Sequence, residues 1–233
     1  MCQVRTHLHS VENAFIAGGA AFGLASAVNS LGKLATSRPD DDTSTASCDC
    51  SNCQYAPSAS TLEKLHGGSS RTWKLDTETE GYVAVGPLWA SSPIWYQAAP
   101  GSRADLGSDD DRWTFGNDGT LSHTTNGGCA VKTEYAAELG EVDESLDLDN
   151  PQGNLFDNTY KNFPIPDYSG SWEIVAPGGL ESIQLSGAPA HFALYTGTPI
   201  YQLSFISDSK ILLRAIDSYA RKWWILLIAV DSD

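Results

Sequence analysis

From residue 71 onward, short runs of β-branched and aromatic residues alternate with turn-forming residues, a pattern typical of antiparallel strands. The clearest example is the pair of runs Ile200–Ile206 and Lys210–Ile216, which a Ser-Asp-Ser turn separates. Within the first run, Tyr201, Leu203 and Phe205 recur at every second position, so one face of a strand carries all three. The pattern predicts a β-hairpin with one buried face.

Two further features support the same fold class. The runs Arg112–Phe115 and Thr120–His123 flank an Asn-Asp-Gly turn, whose residues tolerate the positive φ that tight hairpins need. The segment Trp223–Val230 is apolar throughout, which suits either a central strand covered on both faces or an interface strand. Because no helix-length amphipathic period appears here, we predict an all-β, antiparallel, jelly-roll-like β-sandwich over residues 71–233.

The first 35 residues have a different character. Asn13–Gly32 contains no charged residue and is rich in Gly and Ala, so we predict a small-residue helix within residues 1–35. One interpretation is a secretory signal cleaved after Ala27. The other is a retained helix whose Gly19 and Gly23, one turn apart, allow close packing with other copies. This second interpretation predicts a homo-oligomer assembled through residues 13–32.

Residues 36–70 are rich in Ser, Thr, Asp and Pro, and this composition predicts a flexible linker. The linker contains Cys48, Cys50 and Cys53, which could bind a soft metal if a fourth ligand such as His66 completed the site. A disulfide or free thiols are the favoured alternatives. The chain has 5 cysteines, an odd number, and Cys129 is alone in the β region, so disulfides do not hold the sandwich together.

Charge and motifs narrow the function. The net charge is −15, with 14 Lys and Arg against 29 Asp and Glu, which argues against nucleic acid as a partner. The chain has no Gly-rich phosphate loop and no Gly-x-Ser-x-Gly nucleophile motif, and its histidines lack the spacing of a zinc-binding helix. We therefore expect a non-catalytic protein, although its many carboxylates leave a glycosidase pair open.

The candidate binding residues lie between residues 81 and 115. Trp89, Trp95 and Tyr96 fall in a segment rich in Gly, Pro and Ser, where loops are expected. Exposed aromatic faces on loops can stack on sugar rings while nearby carboxylates accept hydroxyl hydrogen bonds. We include Trp113, Asp109 and Asp111 in the same predicted site. The alternative is that the tryptophans plug the end of the sandwich.

The run Asp109-Asp110-Asp111 admits a calcium site, because calcium takes several carboxylate oxygens. Three consecutive side chains on a strand cannot all point the same way, however. A solvated turn is the favoured interpretation, and we expect no cofactor.

Several ordered motifs resemble a domain of Bacteroidetes cell-surface proteins that often lies beside PKD modules or polysaccharide-degrading machinery. The motifs are Arg71-Thr-Trp-Lys-Leu-Asp76, Val85-Gly-Pro87, Pro93-Ile-Trp-Tyr96 and Asp109-Asp-Asp-Arg-Trp-Thr-Phe-Gly-Asn-Asp-Gly-Thr120. The resemblance covers residues 71–233 and implies a jelly-roll-like sandwich, a carbohydrate-binding role and an extracellular or cell-surface location. The chain differs from that family in lacking a lipoprotein signal ending in Leu-x-x-Cys, and in its N-terminal helix and Cys-rich linker.

Two functions from different classes follow. The first is an extracellular, non-catalytic module that binds a polysaccharide or oligosaccharide through loop aromatics. The alternative is a structural subunit of a filament, surface layer or virion, which assembles through its N-terminal helix and its apolar strands.

Overall fold

The computed structural model describes residues 55–142, 145–149, 158–187 and 189–230. The predicted N-terminal helix and the three closely spaced cysteines of the linker lie outside these residues. Within the described part of the chain, no helix is long and apolar enough to cross a membrane.

The described residues form mostly strands. The elements are α1 (Ala59–His66), β1 (Ser70–Leu75), β2 (Val83–Pro87), β3 (Tyr96–Gln97), β4 (Arg112–Gly116), β5 (Thr120–Thr124), β6 (Cys129–Lys132), β7 (Thr159–Phe163), β8 (Tyr168–Val175), β9 (Ser182–Ser186), β10 (Leu194–Tyr195), β11 (Ile200–Ser207), β12 (Lys210–Ile216) and β13 (Arg221–Ala229). Three short 3₁₀ turns lie at Ala104–Leu106, Thr133–Glu138 and Pro177–Gly179. The predicted hairpins β4–β5 and β11–β12 are both confirmed.

The large sheet closes on itself. Its strand order is β1-β4-β5-β8-β9-β11-β12-β13, and β1 pairs with β13 as well as with β4. Trp73 thus lies opposite Trp113 on one side and Ala229 on the other. The predicted all-β, antiparallel class is confirmed, and the eight strands form a closed barrel rather than two separate facing layers. An interior of this size is filled by side chains.

Alternating residues of the eight strands fill the barrel. They include Trp73, Trp113, Phe115, Leu121, Ile183, Tyr201, Ile211, Leu213, Ile225 and Leu227, each at most 1% exposed. Burying each large apolar side chain contributes about 1.5–3 kcal/mol. The period-two pattern in the sequence therefore arises because every second residue of a strand points into the barrel.

Helix α1 covers one end of the barrel. It begins after Ser58, whose hydroxyl caps the Thr61 amide, and it ends at Gly67, which has φ of 63°. Leu65 is fully buried, and its carbonyl accepts a hydrogen bond of 2.9 Å from Nε1 of Trp73. The linker predicted over residues 36–70 is therefore too long: residues 58–70 belong to the folded domain, because Leu65 helps to fill its core.

Residues 189–195, which we call the plug, cover the other end. Phe192 is fully buried, with its ring centroid 5.4 Å from that of Trp113 and 4.8 Å from that of Tyr201. The plug ends in β10, which pairs in parallel with β6 and so joins the small sheet β10-β6-β7. The plug thus connects the barrel core to the small sheet.

The outer face of β13 is covered in part by the chain itself. Beyond its pairing with β1, β13 pairs with β2, and β2 pairs with β3. We call residues 83–97, which comprise β2, β3 and their connection, the flap. Trp224 packs beneath the flap with Ala84 and Ala90, and Lys222 Nζ donates to the Ala90 carbonyl at 2.7 Å. The flap thus covers the outer face of β13 at Trp224, whereas Leu226 and Ile228 further along that face remain partly exposed.

Candidate functional site

The flap carries the three aromatic residues predicted to bind ligand. Trp89 is 80% exposed, Trp95 59% and Tyr96 43%. Leu88 and Ile94 are exposed beside them. A concentration of exposed large apolar side chains on one short segment marks an interaction site more often than chance exposure does.

Two of these aromatic residues line a pocket. Trp95 and Tyr96 face a cavity of about 750 Å³ bounded by the flap, the start of β13 and the small sheet. Trp89 is not among the residues that line it. The remaining lining residues are Val85, Arg103, Lys132, Asp149, Thr159, Leu194, Tyr219, Arg221 and Trp223. The pocket therefore combines aromatic rings with charged groups.

Two cationic side chains in the pocket, Arg103 and Lys132, form no ion pair with a described carboxylate. Nη2 of Arg103 is buried and makes no hydrogen bond. Lys132 is 4% exposed, and no described carboxylate lies within ion-pair distance of its ammonium group. Burial lowers the pKa of Lys132 to about 8. Because an unpaired buried donor is costly, both groups favour a ligand that offers acceptor oxygens.

The third cation, Arg221, is already neutralised. Its Nε donates to Asp217 Oδ2 at 2.6 Å, and its Nη2 pairs with Glu134. Asp217 also accepts a hydrogen bond of 2.9 Å from Nε1 of Trp223. This network forms a rigid wall of the pocket, since all of its charged groups are satisfied.

Besides Trp89, three predicted site residues do not line this pocket: Trp113, Asp109 and Asp111. Trp113 is fully buried and donates through Nε1 to the His191 carbonyl at 2.9 Å, so its assignment to a ligand-contacting loop is wrong. It occupies the second position of β4, where the alternation turns it inward. Asp111 is also fully buried, whereas Asp109 is half-buried and Asp110 is exposed. The three carboxylates therefore do not converge on one calcium site.

Asp111 instead belongs to a group of four buried side chains at the plug end of the barrel, which we call the buried cluster. Its members are Asp111, His123, Cys129 and His191, and one ligand-type atom from each lies within 4.8 Å of the others. Oδ2 of Asp111 is 3.0 Å from Nε2 of His123 and 3.5 Å from Sγ of Cys129. All four residues are fully buried.

Burial dominates the electrostatics of the buried cluster, because it penalises every charged form. It raises the pKa of Asp111 to about 8 and lowers the pKa of both His123 and His191 to about 3. The pKa of the Cys129 thiol is raised far above its ordinary value. Asp111, His123 and Cys129 come from the β4–β5 hairpin and the strand that follows it, within 18 positions of one another. The fourth member, His191, is far from them in the chain, and only the packing of the plug on this end of the barrel brings it to them.

A second groove lies between α1 and the adjoining strand ends, with a volume of about 880 Å³. Its cations are already engaged: Lys64 pairs with Asp208 at 3.1 Å, and Arg71 donates to the Lys64 and Asp208 carbonyls. Arg112 donates to the Asp111 carbonyl. This groove is therefore the weaker candidate for ligand binding.

No protein-family model matches the chain, and no curated protein is significantly similar to it. The resemblance to a Bacteroidetes cell-surface domain, with the extracellular location that it implies, thus stays a prediction. The fold and the pocket define the class of protein only as a closed antiparallel barrel with a partly aromatic, partly cationic pocket.

Proposed function

We propose that this barrel is a non-catalytic carbohydrate-binding module, and that its pocket takes a sugar carrying a carboxylate group. The observation that carries the proposal is the position of the exposed rings of Trp95 and Tyr96 on the same cavity as the unpartnered Nη2 of Arg103 and the ammonium group of Lys132, which pairs with no described carboxylate. The flap therefore supplies the apolar half of the site, and the cations supply the polar half.

The aromatic half suits a pyranose ring. Trp95 and Tyr96 keep 59% and 43% of their surface exposed, so their faces are open to a ligand without rearrangement of the core. Sugar C–H groups pack against such π faces, and the ring planes fix the orientation of the sugar.

The cationic half favours an acidic sugar. A guanidinium group can donate two parallel hydrogen bonds to a carboxylate, and charge-assisted bonds are about twice as strong as neutral ones. Nη2 of Arg103 retains its donors for this purpose, and Asp149 is the one carboxylate among the lining residues that the structure describes. The Asp149 carboxylate already accepts from the Thr159 amide at 2.8 Å.

The same lining supports binding rather than hydrolysis. Glycosidases of the common type place two carboxyl groups on either side of the scissile bond. Within the described part of the chain, Asp149 is the only carboxylate that lines the pocket, so no second carboxylate forms such a pair with it. We therefore assign no catalytic residue.

The first test is calorimetric titration with a short oligogalacturonide, a chain of uronic acid sugars. Trp95→Ala should weaken binding by about tenfold or more, which corresponds to about 1.4 kcal/mol. Trp89→Ala is the matched control, because Trp89 lies on the same flap outside the pocket, and its affinity should stay within about twofold of the wild type. Equal losses in the two variants would place the ligand outside the pocket and contradict the proposal.

Binding should also depend on pH through Lys132. The pKa of Lys132 is lowered to about 8, so its charge is present below pH 8 and is lost as the pH rises through this value. The sugar carboxylate stays ionised throughout, because its pKa is about 3–4. The affinity for the sugar should therefore be about fivefold to tenfold lower at pH 10 than at pH 7.

Lys132→Gln provides the control for this pH dependence. It should bind weakly at both pH values and show a flat profile, since the titrating charge is gone. A wild-type profile parallel to that of Lys132→Gln would show that Lys132 does not contact the ligand.

The alternative function, a self-assembling structural subunit, rested on two sequence features. The flap of the same chain covers the apolar strand β13 at Trp224, so this part of the strand is not available to a partner. The predicted assembly helix at residues 13–32 lies outside the described residues, so oligomerisation through it stays a prediction.

A further inference from the structure

The buried cluster presents four ligand-type atoms of suitable chemistry around one point. Zinc in structural sites is bound tetrahedrally by Cys, His and Asp, with bonds of about 2.0–2.3 Å, so its ligand atoms stand roughly 3.3–3.6 Å apart. Asp111 Oδ2 lies 3.0 Å from Nε2 of His123 and 3.5 Å from Sγ of Cys129. All four ligand atoms lie within 4.8 Å of one another, so side-chain rotations that close the longer spacings would complete a metal shell.

The hydrogen bonding of His191 prepares it as a ligand. Its Nδ1 lies 2.6 Å from the Pro189 carbonyl, and a carbonyl can only accept, so the proton is on Nδ1. Nε2 then carries a lone pair inside the protein, and it has no hydrogen-bond partner. A backbone carbonyl behind one ring nitrogen is the usual support of a metal-bound imidazole.

His123 is left unsatisfied in the same way. It is fully buried, and neither of its ring nitrogens makes a hydrogen bond. The contact of 3.0 Å between its Nε2 and Asp111 lacks hydrogen-bond alignment. Buried polar groups without partners are rare in folded proteins and call for an explanation, of which a bound ion is one.

From this geometry we infer that the buried cluster is a closed zinc site formed by Asp111, His123, Cys129 and His191. The charges balance, because a carboxylate and a thiolate offset the two positive charges of the ion while both imidazoles stay neutral. Zinc binding releases the thiol proton, and any proton on Asp111, to solvent. Thiolate and imidazole together favour zinc over calcium or magnesium.

The site would fasten the plug to the barrel. Asp111 precedes β4, His123 lies in β5, Cys129 begins β6 and His191 lies in the plug. One ion would therefore tie the barrel wall to the small sheet and to the plug, whose Leu194 lines the ligand pocket. This role is structural and is independent of which ligand the pocket binds.

The test uses the full chain in which Cys2, Cys48, Cys50 and Cys53 are all replaced by Ser, so that Cys129 is the only thiol. After purification and exhaustive dialysis, plasma mass spectrometry should find one zinc ion per chain. Adding a strong zinc chelator should lower the thermal midpoint of unfolding. A zinc content near zero in this protein would overturn the assignment. It would show that the buried cluster does not hold zinc, and that any zinc bound by the unsubstituted chain is held by the other four cysteines.

Single substitutions in the same background identify the ligands. His191→Leu and Cys129→Ser should each weaken zinc binding by more than about a hundredfold, because changes in groups that merely support metal ligands cost about 10–100-fold. His66→Leu is the matched control, since His66 lies on α1 at the other end of the barrel, and it should retain the full zinc content. Retention of zinc by His191→Leu would contradict the proposal.

A spectroscopic readout covers the case in which the ligand variants do not fold. Replacing zinc by Co²⁺ in the four-serine chain should give the intense visible bands of tetrahedral cobalt and a near-ultraviolet thiolate charge-transfer band. Weak octahedral bands without charge transfer would overturn the tetrahedral Cys129-containing site.

Discussion

Replacing Trp113 with alanine should lower the free energy of unfolding by about 3–5 kcal/mol. Trp113 is fully buried, packs against the tilted ring of Phe192 in the plug and donates its indole proton to the His191 carbonyl. The substitution would leave a large cavity and an unpaired buried carbonyl at the point where the plug meets the barrel. Equilibrium denaturant unfolding measures the loss.

Trp95→Ala is the matched control for this prediction. Trp95 is 59% exposed, so its loss should change the free energy of unfolding by no more than about 0.5 kcal/mol. The two substitutions should therefore have different effects: Trp113→Ala lowers the stability of the fold, and Trp95→Ala lowers the affinity for the ligand. A Trp113→Ala protein as stable as the wild type would show that the plug end of the core is wrongly placed.

The second large effect is expected at Arg221. Arg221→Met should lower the free energy of unfolding by about 3–5 kcal/mol, because it leaves two buried carboxylates without their cation. The side chain of Asp217 is fully buried and that of Glu134 is 5% exposed. Denaturant unfolding at neutral pH again provides the measurement.

Lys64→Met is the control for Arg221→Met. Lys64 pairs with Asp208, whose side chain is 85% exposed, and such surface pairs contribute at most about 1 kcal/mol. The further change of both Glu134 and Asp217 to their amides should restore part of the stability lost in Arg221→Met, because it removes the unpaired charges. A loss as small as that of Lys64→Met would contradict a buried, tightly coupled network.

Local patterns in the sequence predicted the strands, and non-local contacts decided the architecture. The alternation of Tyr201 and Leu203 and the Asn-Asp-Gly turn are local signals, and both hairpins formed as predicted. The closure of the barrel depends on the pairing of Trp73 with Ala229, which are separated by most of the domain. No local pattern can distinguish a strand pair of this kind from the facing layers of a sandwich.

The helix α1 and the burial of Trp113 could have been predicted from signals that were present. Ser58 caps the helix, Leu62 and Leu65 recur at helical spacing, and Gly67 ends it, yet the polar composition of the segment favoured a linker. Trp113 alternates with Phe115 in a run already identified as a strand. Because Trp113 and Phe115 share one face of this strand, the side chain of Trp113 could have been expected to point into the core with that of Phe115.

The candidate site was predicted in part. Trp95 and Tyr96 were found from their Gly- and Pro-rich surroundings, and the structure places both on the pocket. Arg103 and Lys132 were missed, because isolated cations in a chain with a net charge of −15 carry no pattern. The buried cluster was missed for a different reason: Asp111, His123 and Cys129 follow no recognised metal-binding spacing, and His191 reaches them only through the packing of the plug.

The most direct test of the central claim compares an oligogalacturonide with its full methyl ester in calorimetric titrations. The ester keeps the sugar rings that stack on Trp95 but removes the negative charges that would pair with Arg103 and Lys132. We predict that the acid binds about tenfold or more tightly than the ester, and that Trp95→Ala weakens both. Equal affinity for the acid and the ester, or the absence of binding to either, would contradict an acidic-sugar pocket.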